Sequence, residues 1–336
     1  MTAVSRTFVI AEGGVNHNGR LDLAFQLVDA AAEAGADAVK FQSFRADRLA
    51  SPTAPLADYQ RRSGAVDGQL EMLRHLELSE GAHLLVAERC RQREIAFLSS
   101  VFDESSADFL ARLVDRFKIP SGEITNHPLL RHVAGHGKPM IVSTGMATLG
   151  EVECALDVIR RAGPVPVTLL QCTSLYPAPP QTVNLRAMDT LASAFGVSVG
   201  FSDHTQGLAV AFAAVARGAA VLEKHVTLDR TLPGPDHAAS IEPGELRVLV
   251  EGVRQIEVAL GDGRKTPAAG EAEMARAVRR SLILTSDAMA GTVLRRELLD
   301  SRRPGTGISP ELMPLIIGRA LRRDLKAGSL LNWEDL

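Results

Sequence analysis

The stretch Val197-Ser-Val-Gly-Phe-Ser-Asp-His204 climbs through apolar residues and ends on polar ones able to do chemistry. A strand buried on both faces reads as a short apolar run of this kind. The same pattern recurs at 7–12, 38–42, 95–100, 117–121, 139–144, 167–173 and 219–225, with helical spacing in stretches such as 21–34 and 151–162 between the runs. Strand and helix alternating eight times predict a (β/α)8 TIM barrel, whose active site forms at the C-terminal ends of the strands. Those ends carry Glu12, Lys40 with Gln42, Ser99 with Ser100, Lys118 with Glu123, Ser143 with Thr144, Gln171 with Thr173, Ser202 with His204, and Glu223 with His225. The pattern is that of an α/β enzyme.

At 336 residues the chain exceeds the roughly 250 of one barrel, so a second small domain is expected. The strand signal stops after His225, and 242–261 reads as one long amphipathic helix that closes the barrel. A Gly- and Pro-containing run at 261–270 breaks the pattern. The expected division is a barrel over 1–262, a linker over 263–280 that includes a charged helix at 271–280, and a module over 281–336. Within that module strands are expected at 281–285 and 292–294, and a short helix near 310–317. About 55 residues can only just fold alone, so the module is expected to lean on the barrel or on a partner subunit.

A net charge of −3 and a pI near 6.3 give no basic field for nucleic acid or an anionic membrane. Cys90, Cys154 and Cys172 form neither a disulfide framework nor a metal knuckle. With no stretch of about 18 apolar residues, the chain reads as soluble and cytoplasmic.

His204 and His225 end neighbouring strands, so both imidazoles can reach one point above the barrel mouth. Each alone also suits a strand cap, but the pair suits a divalent metal with open positions. Two imidazoles with the remaining positions left to oxygen fit Mn²⁺, Mg²⁺ or Co²⁺ acting as a Lewis acid on a carbonyl. Lys40 and Lys118 sit inside apolar runs and need anionic partners, because an unpaired buried ammonium is costly. Those partners are either Glu12 and Glu123, as ion pairs, or a bound phosphate and carboxylate helped by the hydroxyls of Ser99, Ser100, Ser121 and Ser202. Glu123 and Asp236 are candidates for proton transfer or for holding substrate hydroxyls, although an aspartate in a Pro-Gly-Pro-Asp turn is often a turn former only.

The motifs Ala11-Glu-Gly-Gly-Val-Asn-His-Asn-Gly19, Phe117-Lys-Ile-Pro-Ser-Gly-Glu123, Gln171-Cys-Thr-Ser-Leu-Tyr-Pro177, Phe201-Ser-Asp-His-Thr205, Glu223-Lys-His225 and Gly234-Pro-Asp236, in this order, resemble the sialic acid synthases. The C-terminal module resembles that family's antifreeze-like (SAF) domain. The resemblance implies a metal-dependent condensation of phosphoenolpyruvate with an open-chain N-acylated amino sugar. It implies that His204 and His225 bind Mn²⁺ and that Lys40, Lys118, Ser100, Ser121 and Ser202 hold phosphoenolpyruvate. By the same resemblance Glu12, Gln42, Tyr176 and Asp236 hold the sugar, Glu123 lies near the reacting carbons, and Arg303 reaches the acyl group from a partner subunit in a domain-swapped homodimer. Ser174 stands where some members have Asn, and Ser100 replaces a Thr while keeping the hydroxyl. N-Acetylmannosamine is the first expectation for the acceptor, with a 2,4-diacetamido-trideoxy hexose as the alternative. Competing readings are a deoxy-sugar acid phosphate synthase and a catalytically inactive glycan-binding barrel.

Overall fold

In the computed structural model, which describes residues 6–56, 60–61 and 68–336, the apolar runs form eight parallel strands in a closed barrel, each strand paired with the next and β8 with β1. The strands are β1 (Phe8–Gly14), β2 (Ala38–Ser43), β3 (Ala96–Val101), β4 (Phe117–Ile119), β5 (Met140–Ser143), β6 (Val167–Cys172), β7 (Ser198–Asp203) and β8 (Val221–His225). β4 is the shortest because Pro120 follows it and cannot donate to the ladder.

Period-two alternation explains what each face of the barrel wall does. Val9, Val39, Phe97, Phe117, Val142, Leu169 and Leu222 point outward into the large core shared with the helices. Ile10, Ala38, Leu98, Ile141, Leu170 and Val221 point inward and plug the barrel as one apolar layer. Two residues further along the same strands come Glu12, Lys40, Ser100, Ser143, Cys172 and Glu223. The barrel interior therefore changes from an apolar layer to a charged one within a single pleat.

The helices cover the barrel as α1 (Leu21–Glu33), α2 (Ala46–Leu49), α3 (Gln69–Leu76), α4 (Glu80–Gln92), α5 (Glu104–Leu110), α6 (His127–Gly135), α7 (Leu149–Ala162), α8 (Ala187–Phe195), α9 (Ala209–Ala216) and α10 (Pro243–Leu260). Their starts are chemically marked. Thr148 and Glu151 close a capping box on α7, and Glu242 with Glu245 does the same on α10, where Pro243 takes the first helical position. Leu246, Leu249, Val250 and Val253 bury one face of α10 in the barrel core. At the other end of β1, Glu257 of α10 accepts a hydrogen bond from the Thr7 N–H at 2.6 Å, and Arg254 donates to the Thr7 carbonyl at 2.8 Å.

The chain divides after Asp262 into two compact units. In the second, residues 263–270 are exposed, and α11 (Glu271–Val278) buries no residue. β9 (Ser281–Leu284) pairs antiparallel with β10 (Leu299–Arg302) over a core that includes Leu282, Leu284, Leu294, Leu299, Ile308 and Leu331. The strand expected at 292–294 reduces to a single bridge, Val293 to Ala320, because the facing segment runs alongside for too few residues. β10 was not expected from the sequence: of Leu-Asp-Ser-Arg only Leu299 is buried, so it has no apolar pattern. The helix near 310–317 is a 3-10 turn (Pro310–Leu312) running into α12 (Met313–Ile316).

Candidate active site

The polar layer opens into a cavity of about 500 Å³ within the first unit. Its lining includes Glu12, Lys40, Gln42, Ser100, Lys118, Ser121, Glu123, Ser174, Tyr176, Ser202, His204, His225 and Asp236. Of the fourteen residues that the family resemblance singles out, thirteen thus come together in one place. The fourteenth, Arg303, is an exposed residue of the second unit. Ser99, also expected to help hold a phosphate, bonds to Ser43 Oγ at 2.8 Å and does not line the cavity.

Strand register sets the pairings at the floor of the cavity. Glu12 lies opposite Lys40 on one side and His225 on the other, Ser100 opposite Lys118, and Ser202 opposite Glu223. Lys40 Nζ sits 2.6 Å from Glu12 Oε2 and donates to Ser100 Oγ at 2.9 Å. Lys118 Nζ donates to Ser143 Oγ at 2.9 Å and lies 3.4 Å from Glu223 Oε1, which is also 3.8 Å from Lys40. The anionic partner of Lys118 is therefore Glu223 and not Glu123. Glu123 follows the Ser121-Gly122 turn and accepts a hydrogen bond from Asn126 Nδ2 at 2.7 Å. Sequence reasoning assigned no role to Glu223, although its position two residues before His225, on the same face of β8, was the available signal.

Burial acts unequally on these groups. It pushes the Glu12 carboxyl up to about 7 against the pull of Lys40, whereas Lys118 and Lys40 overcome burial at Glu223 and hold it below the usual carboxylate range. Burial, reinforced by Lys40, lowers the Lys118 ammonium, while Glu12 and Glu223 outweigh burial and raise Lys40. With Glu12 raised to about 7, that carboxyl is partly protonated near neutral pH, which weakens the negative charge set against the two lysines and suits the layer to an anion.

Around this floor stand the hydroxyls. Ser121 Oγ accepts from the Gly145 N–H at 3.0 Å. A Cβ at Gly145 would come within 2.3 Å of Ser174 Oγ and 2.8 Å of Ser121 Oγ, so only glycine lets these two serines stand so close to the β5 loop. Ser202 Oγ lies 3.4 Å from Glu223 Oε1.

The two imidazoles lie with ring centroids 5.4 Å apart, and Tyr176 stacks on His204 at 4.3 Å and meets His225 edge-on at 5.8 Å. His204 Nδ1 lies 2.8 Å from the Thr173 carbonyl, so in the neutral ring Nδ1 carries the proton and Nε2 is left as the donor atom. His225 is almost fully buried, its Nδ1 makes no hydrogen bond, and Asp236 Oδ2 stands 3.9 Å away. Burial, helped by the charge of His204 and Lys40, holds His225 well below its ordinary value and therefore neutral. Burial opposes charge at His204 too, but Cys172, the Thr173 carbonyl and Glu223 overcome it and raise that ring, so the position favours a positive charge. A neutral buried imidazole with an unsatisfied nitrogen and a carboxylate oxygen 3.9 Å away, beside a second imidazole whose Nδ1 is tied to a carbonyl, fits a divalent metal. Burial raises Asp236 to about 6, so this carboxyl can exchange protons near neutral pH, and burial raises Glu123 as well.

Residues 27–265 match the model of the NeuB family, and residues 279–336 that of the SAF domain. The chain belongs to the NeuB family. An N,N'-diacetyllegionaminic acid synthase from Legionella pneumophila is 49% identical over 98% of this chain and 94% of that protein. A protein of the same name from Campylobacter jejuni is 46% identical over 98% of this chain and all of that one. Among solved structures, an N-acetylneuraminic acid (sialic acid) synthetase from Leptospira borgpetersenii in complex with citrate is 36% identical, covers 81% of this chain and 90% of its own, and superposes with a TM-score of 0.71. Membership of this family carries the TIM barrel with a C-terminal SAF domain. Among the described residues no helix is long and apolar enough to cross a membrane.

Proposed function

We propose that this member of the NeuB family condenses phosphoenolpyruvate with the open-chain form of 2,4-diacetamido-2,4,6-trideoxymannose and water, giving N,N'-diacetyllegionaminate and phosphate. The observation that carries the phosphoenolpyruvate half is the buried layer that brings Lys40 and Lys118 together with Ser100 and Ser143 at the cavity floor, in a chain of net charge −3. Lys40 and Lys118 are the only Lys or Arg among the described residues lining the cavity, which speaks against a phosphorylated acceptor.

Two features favour the trideoxy sugar. The relatives at 49% and 46% identity bear the name of legionaminic acid synthases. In addition, Val15, Leu49, Met72, Leu73, Leu76 and Phe102 form a small apolar cluster and also line the cavity. Such a wall suits a methyl group. A hydroxyl buried there without a partner would cost about 1–3 kcal/mol. N-Acetylmannosamine, the first expectation from the sequence, carries that hydroxyl at carbon 6 and takes second place.

In the proposed reaction Lys40, Lys118 and the hydroxyls of Ser100, Ser121 and Ser202 hold phosphoenolpyruvate, while Glu12, Gln42, Tyr176 and Asp236 hold the sugar. His204 and His225 would hold a divalent cation, with Mn²⁺ preferred over Mg²⁺ or Co²⁺, which would supply Lewis acidity toward the sugar aldehyde. Carbon 3 of phosphoenolpyruvate forms the new bond to the aldehyde carbon, whose oxygen takes up a proton. Water adds to carbon 2 and gives up a proton, and breaking the carbon–oxygen bond to phosphorus leaves the keto acid and phosphate. Glu123 and Asp236, with carboxyls raised by burial, are placed to hold these protons. Arg303 is proposed to reach the acyl group from the partner in a domain-swapped homodimer. The experiment is phosphate release from phosphoenolpyruvate with Mn²⁺, comparing the two sugars with and without chelator. Chelator-sensitive release that is faster with the trideoxy sugar is expected. Release with N-acetylmannosamine alone would overturn the acceptor, and release with neither would overturn the reaction.

A further inference from the structure

We propose that Asp108, His132 and His136 form a second divalent-cation site, of the zinc class, on the outer wall of the barrel, where it ties α5 to α6. His132 and His136 are four residues apart at the C-terminal end of α6, so their rings share one face of the helix. Two histidines at this spacing are an efficient chelating pair. The rings lie 5.3 Å apart at 81°, and both Nε2 atoms converge on one oxygen of Asp108 from α5, at 2.7 Å from His132 and 3.1 Å from His136. The contact from His132 is a hydrogen bond, whereas His136 Nε2 is buried and makes no hydrogen bond of acceptable geometry.

Two imidazole nitrogens and a carboxylate oxygen are a zinc-type donor set, with a fourth position left to water. All three donor atoms lie within 4.8 Å of one another. A tetrahedral ion with bonds of about 2.0–2.2 Å needs its donors roughly 3.3 Å apart, so Asp108 moves slightly outward and the two rings turn to bring their nitrogens, already within 4.8 Å, to that spacing. The Asp108 side chain is 58% exposed and free to move. The His132 side chain is 32% exposed, which leaves an ion a way in. Neither histidine lines the cavity, so the site is separate from His204 and His225.

Its place in the fold gives such a site a purpose. The His136 ring packs on Phe117 at 5.5 Å, and Phe117 immediately precedes Lys118 on β4. The N-cap of α6 is Asn126, which also holds Glu123. A cation at the C-terminal end of α6 would brace the helix that supports both groups.

The test is bound zinc per chain after equilibration with micromolar Zn²⁺ and gel filtration. It compares four full-length proteins: wild type, His132→Gln with His136→Gln, His204→Ala with His225→Ala, and all four changes together. The expected result is loss of one equivalent on removing the α6 pair in either background, leaving none in the quadruple variant. Thermal melts provide a second readout that does not depend on the barrel pair. Zn²⁺ should raise the melting temperature of the wild type more than that of the His132→Gln, His136→Gln variant. An unchanged zinc count together with an unchanged zinc-induced shift would overturn the proposal and leave Asp108 as a hydrogen-bond acceptor for two imidazoles.

Discussion

Two layers inside the barrel lie one pleat apart, with β1, β2, β3, β5 and β8 contributing to both, and are opposite in character. The lower layer, Ile10, Ala38, Leu98, Ile141, Leu170 and Val221, is apolar and closed. The upper one, Glu12, Lys40, Ser100, Lys118, Ser143 and Glu223, buries four charged groups within reach of a cavity. Burying charges is seldom the cheapest way to stabilise a protein, since a well-packed apolar layer does as well or better. The lower layer shows that this chain can build such packing one pleat away on five of the same strands. On the proposed reading the charges above it serve substrate binding, and the surrounding packing offsets their cost.

The largest effect is expected beside the upper layer, at the histidines proposed to hold the metal. His204→Ala, made in the background lacking His132 and His136, should lose Mn²⁺ measured by paramagnetic resonance and phosphate release together. Retained Mn²⁺ would remove His204 from the ligand set. In the lower layer, Leu98→Ala should cost about 2–5 kcal/mol of stability in denaturant unfolding, with turnover per folded molecule kept. A variant that is fully stable, or one that is folded but inactive, would blur the division between the layers.

A smaller effect is expected outside both layers, at His17 in the turn after β1. Burial, with His83 adding to it, lowers this ring to about 4. Its folded value lies below the unfolded one near 6.5, so its contribution to stability is complete above pH 6.5 and is lost as pH falls toward 4. His17→Gln should flatten the decline in melting temperature across that window. An unchanged slope would show that His17 does not titrate there.

The barrel was legible because each of its strands is buried on both faces and so carries a continuous apolar run. The site was legible because the polar residues at the strand ends point into one closed space. Other features gave no such signal. β10 buries one residue in four, so nothing in Leu-Asp-Ser-Arg marks it as a strand. The pairing of Lys118 with Glu223 joins β4 to β8 across the barrel interior, and strand order alone favoured Glu123, which is nearer in sequence. The apolar wall draws on β1, α2, α3 and the end of β3, four segments that no local pattern connects. His132 and His136 did carry a readable spacing, but their partner Asp108 comes from another helix.

The most direct test of the account is calorimetric titration of phosphoenolpyruvate into wild type, Leu98→Ala and Lys118→Met, each checked for folding by thermal melt. If the upper layer is the anion site, Leu98→Ala binds like wild type. Lys118→Met then binds about thirtyfold or more weakly, as expected when a charged partner worth at least about 2 kcal/mol is removed. Equal affinity in wild type and Lys118→Met would contradict the account, because the buried lysines would then be structural and the phosphoenolpyruvate would have to bind elsewhere.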